Sequence, residues 1–176
     1  MTALALGLAA LAQRMCAAAM AASGLATVVM VVLVSVEVLG RDFFNTSTLV
    51  ADEMAGYLLV ALTFLGLAPT LRSGGFIRID TYRERLRGGT RRAVDLSIHL
   101  LALAYTALLN WYLWGLTINS YRLGTTSINV TRTPLWVPQV VMALGAALLF
   151  VELLGRMALL ATGQNAEPEG TSTAEL

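Results

Sequence analysis

The chain has few of the residues that disulfides, metal sites and enzyme centres need. Its 176 residues include one cysteine, Cys16, one histidine, His99, and no lysine. A single cysteine excludes a disulfide within the chain, and a site of the Cys/His type has too few ligands. The sequence also has no phosphate-binding loop, dinucleotide fingerprint or zinc motif. We therefore expect a protein that is not an enzyme, with no cofactor, no bound metal and no nucleic-acid partner.

Charge is scarce as well, whereas long apolar runs are abundant. Charged residues make up 13% of the chain, about half the share in soluble domains, and 57% of the residues are hydrophobic. Because lipid offers the backbone no hydrogen-bond partners, an apolar run of about 20 residues must cross it as a helix. Pro69 is expected to break the second run near its end. The sequence thus predicts an all-α membrane protein with four transmembrane helices, over residues 15–39, 49–71, 93–118 and 134–161.

Two segments flank this predicted membrane domain of residues 15–161. Residues 1–14 are apolar but have no basic residues before the apolar run, since Arg14 follows it. A cleaved signal peptide is therefore a poor interpretation, and we expect an interfacial segment that leads into the first span. Residues 162–176 are polar and acidic and contain proline and glycine. This composition predicts a disordered tail in the cytoplasm.

The arginines predict the orientation of the chain in the membrane. The connection between the second and third spans contains seven of the twelve arginines, and Arg14 and Arg156 lie on the same side if there are four spans. The other side has only Arg41, Arg122 and Arg132. Cytoplasmic loops carry the excess of basic residues. Nine arginines against three therefore place both termini and the middle connection in the cytoplasm.

The middle connection contains a pattern typical of a short surface helix. Apolar side chains at Ile79, Tyr82 and Leu86 recur at i, i+3 and i+7, and glycine pairs at 74–75 and 88–89 predict turns on either side. A short amphipathic helix among arginines should lie on the anionic inner leaflet. The residues that we expect to anchor it are Arg83, Arg85 and Arg87.

Two charged pairs lie near the ends of spans. Glu37 precedes Arg41, and Glu152 precedes Arg156, each by four residues. This order favours an ion pair along one helix, so both pairs are interpreted as structural. A carboxylate within a span is also a candidate proton or cation site, as in small four-helix drug exporters. For Glu37, the role of a proton or cation site remains an alternative to the ion pair.

Two further polar pairs lie near span ends. Asp95 and His99 are four residues apart, but no serine or cysteine is placed to complete a relay, which favours an interfacial hydrogen-bonded pair. Asp52 and Glu53 lie one turn into the second span. Their carboxylates could be stabilised by the helix dipole, or they could receive an arginine from a partner subunit. The sequence does not separate these two interpretations.

Several short motifs follow one another in a characteristic order: residues 41–44, 51–59, 63–66, 72–80, 124–127 and 133–138. In this order they resemble the small membrane subunit of the tripartite ATP-independent periplasmic (TRAP) transporter family, over roughly residues 15–160. The chain departs from the family pattern at two places. Phe76 stands where the family has a histidine, and the tryptophan often found before the acidic pair is absent.

The resemblance implies a protein of the bacterial inner membrane with two partners, a large multi-span transporter subunit and a periplasmic solute-binding protein. It implies ion-coupled uptake (symport) of an organic acid, with the solute and ion sites on the large subunit. The small subunit would be a non-catalytic brace that helps receive the binding protein. Two alternatives remain, a self-contained small ion-coupled exporter and the small subunit of another tripartite carboxylate transporter. The candidate partner-contact or structural residues are Arg41, Asp52, Glu53, Arg78 and Asp80.

Overall fold

The described part of the chain consists of four α-helices. The computed structural model describes residues 2–44, 50–75, 89–129 and 131–161. The helices are α1 (Thr2–Phe44), α2 (Val50–Arg72), α3 (Gly89–Leu123) and α4 (Trp136–Ala161). Each is long and apolar enough to cross a membrane. The predicted all-α fold with four transmembrane helices is therefore confirmed.

The helices differ from the predicted spans at several ends. α1 continues without a break through residues 2–14, and α3 extends past residue 118 to Leu123. α2 does not end at Pro69 but continues to Arg72. The predicted surface helix, with Arg78, Asp80, Arg83, Arg85 and Arg87, and the tail of residues 162–176 lie outside the described residues and stay predictions.

The helices pack in the order α1, α2, α4, α3. α2 lies between α1 and α4, and α3 packs on the other side of α4, while α1 contacts α4 over a short stretch. α1 and α3 are thus the two edges of the arrangement. The inner end of each helix is the end predicted to face the cytoplasm: the start of α1 and α3, and the end of α2 and α4. The edge helices expose large apolar side chains, among them Val31 and Val36 on α1 and Leu101 and Trp111 on α3.

Small residues allow α2 and α4 to approach closely. Ala143 and Ala146 of α4 are completely buried and cluster with Leu113 of α3. A Cβ added at Gly145 would lie 2.5 Å from both the carbonyl carbon and the carbonyl oxygen of Phe64. Only glycine fits such a contact with backbone, which is the usual role of small residues between membrane helices.

A hydrogen bond joins α1 to α2 within the membrane. The Ser23 hydroxyl donates to the carbonyl oxygen of Leu62 at 2.9 Å. Gly66 lies one turn further along α2, where a Cβ would be 3.4 Å from the same hydroxyl oxygen. The motif at residues 63–66 therefore contacts both neighbours of α2, because Phe64 packs against α4 and Gly66 faces Ser23 of α1.

The glycines that follow α2 and α3 end these helices. Gly74 has a φ of 74°, and the amides of Gly74 and Gly75 donate to the carbonyls of Leu71 and Thr70 at 3.2 and 3.0 Å. This is the Schellman cap, which favours glycine at the left-handed position. α3 ends in the same way at Gly124, whose φ is 60°. Two of the motifs, at residues 72–80 and 124–127, thus contain helix caps.

Candidate functional site

A buried carboxylate lies at the outer end of α2. Glu53 is only 7% exposed. Its Oε1 accepts a hydrogen bond of 2.6 Å from the Tyr57 hydroxyl, one turn along the same helix. Its Oε2 accepts from the hydroxyl of Thr131, which Thr133 in turn approaches at 2.9 Å as a donor. A buried charge is costly unless it is hydrogen-bonded, and Glu53 meets this need with hydroxyls from two parts of the chain.

Thr131 and Thr133 belong to the outer loop that joins α3 to α4, of which the structure describes residues 124–129 and 131–135. The loop folds back on itself through an antiparallel bridge between Thr126 and Pro134. The Ser127 amide donates to the Thr133 carbonyl at 2.9 Å. Near the tip Arg132 adopts a left-handed conformation, with a φ of 47°. The folded loop therefore presents its threonine hydroxyls to Glu53, and Glu53 fastens the loop to α2.

The structure distinguishes the two members of the acidic pair. The Glu53 carboxylate accepts hydrogen bonds from hydroxyls of its own chain, whereas Asp52 is exposed. The different surroundings follow from helix geometry, since consecutive residues of an α-helix point about 100° apart. Of the two interpretations that the sequence left open, an arginine of a partner subunit remains a candidate neighbour for Asp52.

Arg41 lies near the end of α1 beside Glu37, with which the spacing of four residues predicted an ion pair. Its Nη2 is 3.7 Å from Oε1 of Glu37. Glu37 also lines an apolar groove between α1 and the start of α2, with valines such as Val32 and Val36. The alternative role of Glu37 as a proton or cation site would have to operate in the presence of this cation.

A second polar cluster joins the inner halves of three helices. Glu152 of α4 lies 3.7 Å from Nε of Arg156 and 3.6 Å from Nη1 of Arg72 on α2. The Cys16 thiol of α1 lies 3.9 Å from Oε2 of Glu152. Arg156 also donates from Nη2 to the carbonyl oxygen of Leu71. We refer to Cys16, Arg72, Glu152 and Arg156 as the inner cluster.

The inner cluster contains more than the sequence indicated. The spacing of Glu152 and Arg156 predicts a pair along one helix. Cys16 lies in an apolar run, where a lone cysteine is interpreted as a small apolar residue. The structure adds Arg72 and brings Cys16, which is buried, to the carboxylate. No local pattern could have signalled this contact, because Cys16 and Glu152 are 136 positions apart.

Asp95 and His99 form a simpler contact than a carboxylate–imidazole pair. Nδ1 of His99 lies 2.8 Å from the backbone carbonyl oxygen of Asp95. A carbonyl oxygen only accepts, so Nδ1 carries the proton. Among the residues that the structure describes, no group of three or more histidine, cysteine or acidic side chains could hold a metal ion.

Comparison with known proteins gives the same family as the order of the motifs indicated. The family model described as tripartite ATP-independent periplasmic transporters, DctQ component, matches residues 30–163. No curated protein matches the chain. The family match covers more than half of the chain, from the middle of α1 to the end of α4, and includes Glu53, the outer loop and three of the four residues of the inner cluster. The protein is therefore a multi-pass membrane protein that belongs to the DctQ family, the small component of tripartite ATP-independent periplasmic transporters.

Proposed function

We propose that this protein is a non-catalytic subunit that braces the large transport subunit and helps to dock a periplasmic solute-binding protein. The transporter would take up an organic acid coupled to an ion gradient, in the bacterial inner membrane with both termini of this chain in the cytoplasm. Family membership supports a role in a tripartite transporter. The observation that carries the bracing role is the combination of apolar exposed edges with charged side chains that, in the described residues, lie toward one or the other end of each helix and leave the middles of α1, α2 and α3 uncharged.

The interior of the described helices supports a brace more than a solute path. A path normally needs broken helices or central charges. The hydroxyls of Thr63, Thr106 and Thr117 each donate to a carbonyl of their own helix, four residues back. Asn110 is one exception, since its buried Oδ1 has no hydrogen-bond partner among the described residues. Gln139, near the outer end of α4, has a buried amide oxygen of the same kind. Two amide oxygens on different helices are too few to form a path for a solute across the membrane.

The outer loop supports the proposed docking role. It is a folded element, because Glu53 and the bridge between Thr126 and Pro134 hold it in one shape. Asp52 stands exposed beside the buried Glu53, and Arg132 is exposed on the loop. Charges on a rigid surface can select a partner and raise its association rate. Asp52, Arg41 and the loop are the parts of this chain that we expect near the binding protein.

The decisive experiment is reconstitution with the partners encoded beside this chain. We expect a tagged chain to copurify with the large subunit, and liposomes containing both to take up solute only when the binding protein is present. Omission of this chain should abolish the uptake or strongly reduce it. Failure to copurify under several mild detergents would contradict the proposal.

A matched experiment addresses the exporter alternative. The chain alone in liposomes should move no cationic solute, and Glu37→Gln should leave that result unchanged. Flux that depends on Glu37 in the absence of any partner would replace the proposal with the exporter. The ion pair between Glu37 and Arg41 gives no support to that outcome.

A further inference from the structure

A groove runs between the inner halves of α1 and α2, next to the inner cluster. It encloses about 390 Å³. Its polar lining comes from Gln13 at the inner part of the α1 span and from Arg72 and Ser73 at the inner end of α2. The other lining residues are Cys16, Ala17, Met20 and Pro69.

The polar and apolar parts of the groove lie at different depths. Along α1, Met20 is seven residues deeper than Gln13, which corresponds to about 10 Å at 1.5 Å per residue. Along α2, Pro69 lies about one turn deeper than Arg72. The groove therefore has donors at its inner mouth and an apolar wall that extends toward the bilayer centre.

The four residues of the inner cluster include more basic than acidic side chains. The cluster contains two arginines and one glutamate, so its formal charge is two positive minus one negative, a net +1. Glu152 and Arg156 belong to one helix, and Arg156 is buried and bonded to the carbonyl oxygen of Leu71. Arg72 lies at the groove, with 31% of its side chain exposed. Arg72 is thus the basic side chain of the inner cluster that is presented at the mouth of the groove.

We propose that this groove binds an anionic phospholipid, with the phosphate on Arg72 and one acyl chain along Ala17, Met20 and Pro69. A guanidinium matches the geometry and charge of a phosphate. Gln13 and Ser73 add polar groups beside it, although the Ser73 hydroxyl already donates to Thr70 at 3.2 Å. Free phosphate would use the arginine but not the apolar wall. The occupant that uses both is a lipid, and the negative inner leaflet supplies it.

The test is native mass spectrometry of the full-length chain in detergent, titrated with phosphatidylglycerol. We expect wild-type protein to retain the lipid, with weaker retention of phosphatidylcholine and none of inorganic phosphate. Arg72→Gln should weaken phosphatidylglycerol binding about tenfold, the loss expected for one hydrogen bond to a charged group. The matched control is Arg14→Gln, which removes the same charge from an exposed position outside the groove and should bind as wild type does.

A second variant separates lipid binding from damage to the inner cluster. Ala17→Phe fills the groove but leaves Arg72 and Glu152 in place, so it should lose lipid with unchanged thermal stability in lipid-free detergent. Equal phosphatidylglycerol binding by wild type, Arg72→Gln and Ala17→Phe would overturn the proposal. So would equal binding of phosphatidylcholine, or binding of inorganic phosphate alone.

The assembled transporter provides the last arm of the test. The lipid should remain bound when the large subunit copurifies. A photoreactive residue introduced in place of Ala17 tests the alternative occupant. If the large subunit displaces the lipid and crosslinks to this residue, the groove is a subunit contact and the lipid proposal is wrong. This inference does not depend on the proposed transport role, because lipid binding is measured on the chain itself.

Discussion

At the scale of single residues, Glu53 shows how a buried carboxylate can organise a loop. Glu53→Ala would leave the hydroxyls of Tyr57 and Thr131 without their acceptor. We expect it to lower the free energy of unfolding by about 1–3 kcal/mol. Glu53→Gln keeps one acceptor oxygen and should cost less. Asp52→Asn, at the exposed neighbour, is the matched control and should stay within about 0.5 kcal/mol of wild type.

In the same variants we expect a local change, the opening of the outer loop, which proteolysis can detect. Arg132 is exposed in the outer loop, directly between Thr131 and Thr133. Trypsin should cut after Arg132 faster in Glu53→Ala than in wild type or Asp52→Asn, because a released loop opens more often. Mass spectrometry of the fragments measures this. Identical cleavage rates in all three proteins would show that Glu53 does not hold the loop.

Glu152 gives a second prediction at the residue scale. Glu152→Gln removes the negative charge that faces both Arg72 and Arg156. Breaking a buried ion pair leaves an uncompensated charge, and we expect a loss of about 3 kcal/mol in unfolding free energy. Asp42→Asn removes an exposed carboxylate near the end of α1 and should have little effect. Unfolding in mixed detergent measures both, and equal small losses would contradict the role of the inner cluster.

At the scale of helices, the contact between α2 and α4 depends on one glycine. Gly145→Ala would place a methyl group 2.5 Å from the carbonyl group of Phe64, so the helices must separate. We expect a loss of roughly 1–3 kcal/mol in unfolding free energy, the range for an overpacked core. Gly155→Ala, on the same helix with nothing within 4 Å of its Cβ, is the control and should not destabilise the protein. Equal effects of the two substitutions would show that this close contact is unimportant.

At the scale of the whole molecule, the packing order leaves α1 and α3 as edges with different neighbours. A brace must cover at least one edge with the large subunit and leave the other surfaces to lipid. Single cysteines at Val31, 56% exposed on α1, and Leu101, 74% exposed on α3, can report this in a Cys16→Ala background. We expect the large subunit to block labelling by a lipid-soluble maleimide at one of the two positions. Unchanged labelling at both would argue against bracing through these edges.

Local features of the sequence determined much of this protein. Length and apolar composition fixed four transmembrane helices, because lipid leaves an apolar stretch no other way to satisfy its backbone. The ion pair of Glu37 and Arg41 could be predicted, because side chains four positions apart lie next to each other on any α-helix. The glycines at 74–75 indicated a turn, and the structure has a helix cap there. In each case the cause and its effect lie within a few residues of each other.

The tertiary structure alone decided which distant groups meet. Glu53 is 78 positions from Thr131, and Arg156 is 85 positions from Leu71. The contacts depend on the order in which helices pack and on how each is rotated. An amphipathic stripe would reveal that rotation, but helices that are apolar on all sides carry none. The fold class therefore follows from the sequence, whereas the fastening of the outer loop, the inner cluster and the groove beside it arise only when the helices pack.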